Sequence, residues 1–440
     1  MSRISKLLPL ILILLMVASA YKLVSDKTGN MIKYKAHIKN ADEYFEDGIV
    51  VDAVEEIDKA IEINPSFELM LKKGNYYYDG NERSFALKFA DTLLEQYPKE
   101  AGAYDYALKV KSEFKGFQDC YAILDEAEKR KITSETIEKY NKSLQYKYFI
   151  DYKSYTGVGT ARDGAYPVER NKMWGFCLRN GSAFIDCVFS QVGPFNISGE
   201  YDLAPVKDET GAVFFINKDG MKKLNVSKEI KCDRASVISE DVFVLYIDKK
   251  AGYYDTSLKH KFGSYDYASA MLNSVAAVKT GDRWKLINSK GKELTSNTYE
   301  DVKYNDAEFV STLERIFVKT NGKYIMLDLN GKQVGNLQFE DVECFFDKYA
   351  AVKINGKWGF VDTDGKIVIK PEYEEAHSFA NEFAAVKKDG KWGYIDTDNK
   401  MVIENTFFEA GNMNGLGCAF VKSKEKNETY DMLKLYSKNH

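Results

Sequence analysis

Histidine is scarce: His37, His260, His377 and the terminal His440 are the whole supply in 440 residues. None has a serine, cysteine or carboxylate at a recognisable spacing, so the sequence supports no nucleophile–base pair. The six cysteines, Cys120, Cys177, Cys187, Cys232, Cys344 and Cys418, form no Cys-x-x-Cys pair. With no histidine at ligand spacing either, a zinc site is not expected. Cys177 and Cys187 flank one hairpin turn, where they serve as a disulfide or as small apolar filler. Net charge is small as well, −4 from 62 basic and 66 acidic residues, which offers no general field for nucleic acid. The glycine-rich stretch Thr156-Gly157-Val158-Gly159-Thr160 lacks a Gly-Lys-Ser/Thr ending and a following helical pattern, so it is not a phosphate loop. No catalytic residue, cofactor or metal is expected.

Apolar material is plentiful. Hydrophobic residues make up 45% and aromatics 14% of the chain, enough for more than one core. Residues 1–24 read as a signal peptide or membrane anchor: Arg3 and Lys6, then an apolar run from Leu7 to Ala20 ending in Ala18-Ser19-Ala20. No cysteine follows the run, which excludes a bacterial lipoprotein anchor. The expectation is a membrane-anchored or secreted protein facing outside the cytoplasm.

Residues 33–148 carry apolar and small residues at helical spacing. Counting back from Pro65, small or large apolar residues fall at Ala41, Tyr44, Ala53, Ile57 and Ala60. From Pro98 they fall at Gly74, Tyr77, Ala86, Ala90 and Leu93, and a third set is Tyr104, Cys120, Leu124 and Ala127. The spacing of the two prolines is 98 − 65 = 33. This pattern resembles tetratricopeptide (TPR) repeats, in which small residues let paired helices approach and proline stops the second helix. Thr133 or Ser134 is placed to cap a further, terminal helix.

The remainder is organised around a repeated unit. Ala350-Ala351-Val352 leads to Lys357-Trp358-Gly359-Phe360-Val361-Asp362, and Ala384-Ala385-Val386 to Lys391-Trp392-Gly393-Tyr394-Ile395-Asp396. The spacing of the two tryptophans is 392 − 358 = 34. Short apolar runs between Gly, Asn and Asp clusters are hairpin signals. The tryptophan slot recurs upstream as Trp174, Val213, Ala251, Trp284 and Tyr324. Seven residues after each slot stand Gly181, Gly220, Leu258, Gly291, Gly331, Gly365 and Asn399, where a turn with positive φ is expected. That makes seven units, with an eighth start at Cys418–Val421 and Thr429–Leu435. Asp362-Thr363-Asp364-Gly365 has the look of a calcium loop but lacks its distal ligands, so a hairpin turn is expected.

These residues resemble the WG-repeat family, also called KWG repeats, whose signature K-W-G-[FY]-[IV]-D-x-x-G-K-x-V-I is carried by Lys357 to Ile369 and, with Asn399 in place of its glycine, by Lys391 to Ile403. The resemblance spans roughly residues 157–435 and implies a bacterial all-β repeat domain that is not an enzyme. The expected fold is α+β and multidomain: a TPR-like helical array over 33–148, then a WG-repeat β domain over 157–440. That β domain either closes as a β-propeller or runs on as an open β-solenoid. Tyr146 to Tyr152 alternate with polar residues and are placed to supply the strand that the C-terminal unit lacks, latching a ring. The slot tryptophans read as packing between repeats. The acidic pairs Glu300-Asp301, Glu340-Asp341 and Glu374-Glu375 fall at one repeat phase and read as solvated turns.

The function expected is that of an envelope-associated scaffold binding another protein, with Tyr44, Tyr76, Tyr77 and Tyr104 near the groove of the helical array. The alternative is a protein that binds, or an enzyme that acts on, cell-wall glycan or peptide.

Overall fold

The computed structural model describes residues 4–160, 164–195, 202–424 and 429–436; in the first helix, side chains are described from residue 27 onward and at Met16, Ser19 and Lys22. The chain divides into two compact units between Gln145 and Tyr146. The β unit therefore starts well before the expected 157, because the intervening segment forms a strand.

The first unit is helical. Helix α1 (Ile4–Glu46) is followed by α2 (Val50–Ile63), α3 (Phe67–Asp79), α4 (Arg83–Gln96), α5 (Ala101–Phe114), α6 (Gln118–Lys129) and α7 (Glu135–Leu144). Helix α1 runs unbroken from the segment expected as signal or anchor into the first helix of the array. Among the described residues no helix is long and apolar enough to cross a membrane. The apolar run Leu7–Ala20 itself lies almost wholly outside the described side chains.

Helices α2 to α6 bury the small residues the repeat pattern singles out. Ala53, Ile57 and Ala60 on α2, Ala86, Ala90 and Leu93 on α4, and Cys120 and Ala127 on α6 are fully buried. Gly74 on α3 shows why size matters: a Cβ there would stand 2.9 Å from the Tyr106 ring. The Tyr106 hydroxyl instead donates to the Gly74 carbonyl at 2.7 Å. Ser134 caps α7, accepting from the Ile137 amide at 3.0 Å.

The second unit is an eight-bladed β-propeller. Eight sheets of three or four antiparallel strands follow one another in chain order. Each blade opens on a two-residue inner strand: Gly157–Val158, Gln191–Val192, Arg234–Ala235, Tyr267–Ala268, Asp301–Val302, Asp341–Val342, Glu375–Ala376 and Glu409–Ala410. The ring closes as the alternation of Tyr146 to Tyr152 suggests. Strand β1 (Lys147–Tyr155) is the outer strand of blade 8, antiparallel to Tyr430–Tyr436. Closure is packed as well as paired. Tyr155, Tyr166 and Cys177 share one core with Cys418, Phe420 and Met432. The Asn414 amide donates to the Tyr166 hydroxyl at 2.9 Å. The open-solenoid alternative is thereby replaced by a ring, and the unit count is eight.

Repeat chemistry sets the local structure. All seven expected turn positions, Leu258 included, have positive φ. In blades 6 and 7 the aspartate that begins this turn is used up by the backbone: Asp362 accepts from the Asp364 and Lys366 amides at 3.0 and 2.9 Å, and Asp396 likewise serves Asp398 and Lys400. This is the hairpin turn, not a calcium loop. The tryptophan slot pairs across strands with an aromatic fifteen positions later: Trp174 with Phe189, Trp358 with Tyr373 and Trp392 with Phe407.

The glycine after the tryptophan has its own cause. A Cβ on Gly359 would lie 2.6 Å from the Ile369 carbonyl and the Pro371 nitrogen, because the outer strand bulges directly over it. Where the slot is followed by glycine (Gly175, Gly252, Gly359, Gly393), the outer strand has six or seven residues. Where Lys285 and Ile325 stand there, in blades 4 and 5, it is reduced to isolated bridges such as Trp284 to Tyr299 and Tyr324 to Phe339.

Candidate binding site in the central channel

The residues just after each inner strand face the middle of the ring. Blade 5 breaks the pattern there. From buried Val302 to buried Val310 is a step of 310 − 302 = 8, against 345 − 342 = 3 from Val342 to Phe345 in blade 6, an insertion of five. This insertion reaches into the channel. The Asp306 carboxylate accepts from the Thr160 amide of blade 1 at 3.1 Å. Glu308 pairs with Arg234 of blade 3 at 2.6 Å. Ala307 and Phe309 pack on Val237 and Ala270. The Arg234 guanidinium also lies 3.8 Å from the centre of the Tyr246 ring.

The insertion divides the channel. On the side of blades 2 and 3 a cavity of about 200 Å³ remains between Gln191–Pro194, Arg234–Val237 and Asp306–Glu308. On the side of blades 1 and 5 to 8 are two wider spaces of about 480 and 700 Å³. These share Thr160, Asp306, His377, Gly411 and Asn412 in their walls. Their lining holds five carboxylates (Asp306, Asp341, Glu343, Glu375, Glu409) and two lysines (Lys303, Lys387), so 2 − 5 = −3 with His377 neutral. Trp358, Trp392, Phe346, Phe408 and Tyr430 supply the apolar part of the wall.

The acidic pairs of the sequence split into two jobs. The first member of each holds a turn: Glu300, Glu340 and Glu374 accept from the amides of Gly322, Gly356 and Gly390 at 2.9, 2.8 and 2.9 Å. The second lies in the inner strand and not in a turn. Asp341 pairs with Lys303 at 2.7 Å, Glu375 with Lys387 at 2.6 Å, and Asp301 accepts from the Tyr324 hydroxyl.

Among the described residues, His377 is the one histidine in the wall of these spaces. Its Nδ1 meets Glu343 at 2.8 Å, and the other Glu343 oxygen accepts from the Ser378 amide at 2.8 Å. Its ring stacks on Trp392, 4.8 Å between centres and 8° from parallel. Burial works to lower the His377 pKa, but the Glu343 charge and hydrogen bond, with Glu375 behind them, outweigh it and hold the pKa above the ordinary imidazole value. Glu343, His377 and Ser378 are the residue types of a hydrolytic triad without its geometry. Ser378 is 1% exposed, and its hydroxyl accepts from the Ala351 amide at 2.9 Å. Among the described residues, no three His, Cys, Asp or Glu gather as a metal site.

All six cysteines are free thiols. Burial pushes Cys177 up to about 12 and Cys418 up to about 11, as befits apolar filler.

The four tyrosines expected near the helical groove do not share one surface. Tyr76 is 6% and Tyr104 1% exposed, the first donating to Asp42 at 2.6 Å and the second to the Pro98 carbonyl at 3.0 Å. Tyr77 is half-buried between Phe85 and Phe89. Tyr44 is exposed, and Phe45 fills the packing position instead, stacked on Tyr76 at 4.5 Å. One residue is about 100° around a helix, which moves the packing role from Tyr44 to its neighbour. Sequence reasoning missed Asp306, Glu343 and His377 as a group. The widened gap between the slots Trp284 and Tyr324, 324 − 284 = 40, was the available signal, since it contains the insertion.

The family model of the WG containing repeat matches residues 326–358, 358–392 and 392–426. No curated protein sequence matches the chain. Among solved structures it is similar to PorZ, a bacterial surface component of the type-IX secretion system of Porphyromonas gingivalis. That likeness has TM-score 0.36 and 11% identity over 67% of this chain and 46% of that one. The chain thus spans less than half the length of PorZ. It is also similar to a eukaryotic initiation factor (TM-score 0.40, 11% identity, 66% of this chain and 93% of that one). A third likeness is to the β-propeller domain of Cps50 (Swd1) of Myceliophteria thermophila (TM-score 0.31, 8% identity, 53% and 93%).

Proposed function

We propose that this chain, which carries WG repeats on an eight-bladed propeller together with a TPR-like helical array, is a non-enzymatic scaffold that binds another protein at the cell envelope. The observation that carries the reading is the divided channel. A propeller filled evenly along its axis would offer a partner nothing there, whereas here blades 1 and 5 to 8 leave a wide mouth lined by rings and carboxylates. The helical array adds a second repeat surface on the same chain. Attachment to, or export across, a membrane through residues 1–24 belongs to this proposal and rests on the apolar run alone. The absence of enzymatic activity is also proposed: it is supported by the inaccessible Ser378 and by the structural ties of the inner-strand carboxylates.

The test is crosslinked capture from a bacterial host, comparing the full chain with chains lacking 27–145 or 146–436. One protein partner, lost on deletion of either unit, supports the scaffold and assigns the surface. Retention of cell-wall glycan by the β unit with no protein partner replaces it by the second reading, glycan binding, which the half-buried Trp358 in the channel wall favours.

A further inference from the structure

In three blades the aromatic at the tryptophan slot carries a lysine ammonium over its ring. Lys279 stands 5.8 Å from the centre of Trp284, Lys319 5.5 Å from Tyr324, and Lys387 6.0 Å from Trp392. Each lysine is the cross-strand partner of its aromatic. Blade 6 has the same pair in register, Lys353 opposite Trp358. Among the described residues, however, no cation stands over the Trp358 ring.

A second substitution sets blade 6 apart. The position after the inner strand bears Lys303 in blade 5, 5.4 Å from the centre of Tyr324, and His377 in blade 7, stacked on Trp392. In blade 6 that position is Glu343. The blade thus has an anion where its neighbours place a cationic or ring-covering group. Trp358 is half-buried rather than sealed, and it lines the open side of the channel together with Asp306 and Glu343. An aromatic face beside carboxylates, in a space with a net negative lining, suits a cation held both by the ring quadrupole and by charge.

We propose that Trp358, Glu343 and Asp306 form a site for the cationic side chain, arginine above all, of a partner polypeptide. This rests on the scaffold reading and names the chemistry by which the partner is recognised. A polypeptide fits better than a small free cation because the space continues past His377 into the neighbouring one, walled by Trp392, Phe408 and Tyr430, where flanking residues of an extended segment find apolar contacts. Arginine fits better than lysine because its planar guanidinium stacks on an indole and still directs several N–H groups at carboxylates.

The experiment titrates the full chain with acetyl-Gly-Arg-Gly-amide, and with the same tripeptide carrying citrulline, which keeps the shape and removes the charge. The arginine tripeptide is expected to bind, and the citrulline one at least tenfold more weakly. Glu343→Gln and Trp358→Leu are each expected to weaken the arginine tripeptide at least fivefold. Asp306→Asn, which keeps an acceptor for the Thr160 amide, guards against loss of fold in the others, with thermal unfolding as the check. Asp91→Asn in the helical unit is expected to change nothing. Equal binding of the two tripeptides, no binding, or binding indifferent to all three channel variants overturns the site. Capture of the same protein partner by the wild-type chain and by the Asp306→Asn, Glu343→Gln double variant also overturns it, while leaving the scaffold reading standing. Loss of any partner together with intact arginine binding sinks the scaffold reading instead.

Discussion

Identical slots in this repeat do unequal work, and burial decides which. Trp392 is 6% exposed and lies beneath His377, whereas Trp358 is half-buried at the channel wall. Trp392→Ala is expected to cost ~3–5 kcal/mol of stability in denaturant unfolding, and Trp358→Ala clearly less. Equal costs would show that both rings are core. His377 gives a prediction with a sign. Its folded pKa lies above its unfolded value, so its pairing with Glu343 stabilises fully below about pH 6.5 and is lost as pH rises through the folded pKa. Unfolding midpoints of the wild type should therefore fall from about pH 6 to about pH 8, and those of His377→Gln should be flatter over that window. Because both side chains are about a third exposed, the difference is expected to be small.

At the scale of one element, the glycine after the slot determines whether a blade keeps its outer strand. Gly359→Ala is expected to cost about 1–3 kcal/mol, because the new methyl meets the backbone of residues 369–371 and not a side chain that can swing away. The complementary change, Ile325→Gly in blade 5, should cost far less there, since no continuous outer strand lies over that position. Hydrogen exchange of the outer-strand amides reads both: the 367–373 amides should lose protection in the first variant and be unchanged in wild type. Much at this scale was legible in the sequence. The repeat period, the positive-φ turns and the hairpins follow from residue types acting over short stretches of chain. The outer strand of blade 8 was legible too, from the alternation after Gln145. The acidic pairs were half legible. Their phase was evident, but whether a carboxylate ends in a turn or in the inner strand depends on which amide or ammonium comes within reach, and that is a tertiary fact. The aromatic of the first helical repeat was missed because two adjacent aromatics, Tyr44 and Phe45, compete for one slot, and only the position of Tyr76 decides between them.

For the whole molecule, the division at Gln145/Tyr146 has a direct test. A chain of residues 146–440 is expected to unfold cooperatively as a closed ring. One of residues 157–440, lacking β1, leaves the Tyr430–Tyr436 edge unpaired and should lose several degrees of melting temperature and associate. Indistinguishable melting and monodispersity would mean that the ring does not depend on its latch. The channel site was the least legible part of the molecule. Asp306, Glu343 and His377 come from three blades, and no pattern along one repeat relates an insertion in the fifth to the sixth and seventh.

The latch also has a history in time. Tyr155 and its partner Tyr430 are separated by most of the β unit, so the ribosome makes the outer strand of the last blade before any of the first. At about 5–20 residues per second, that strand waits on the order of tens of seconds for its partner. Throughout that interval seven blades can assemble in order, yet the arc they form stays open at both ends. A host that makes this protein therefore has to shield one bare edge for most of its translation, and chaperone demand should follow the time to the last blade rather than the difficulty of any single one.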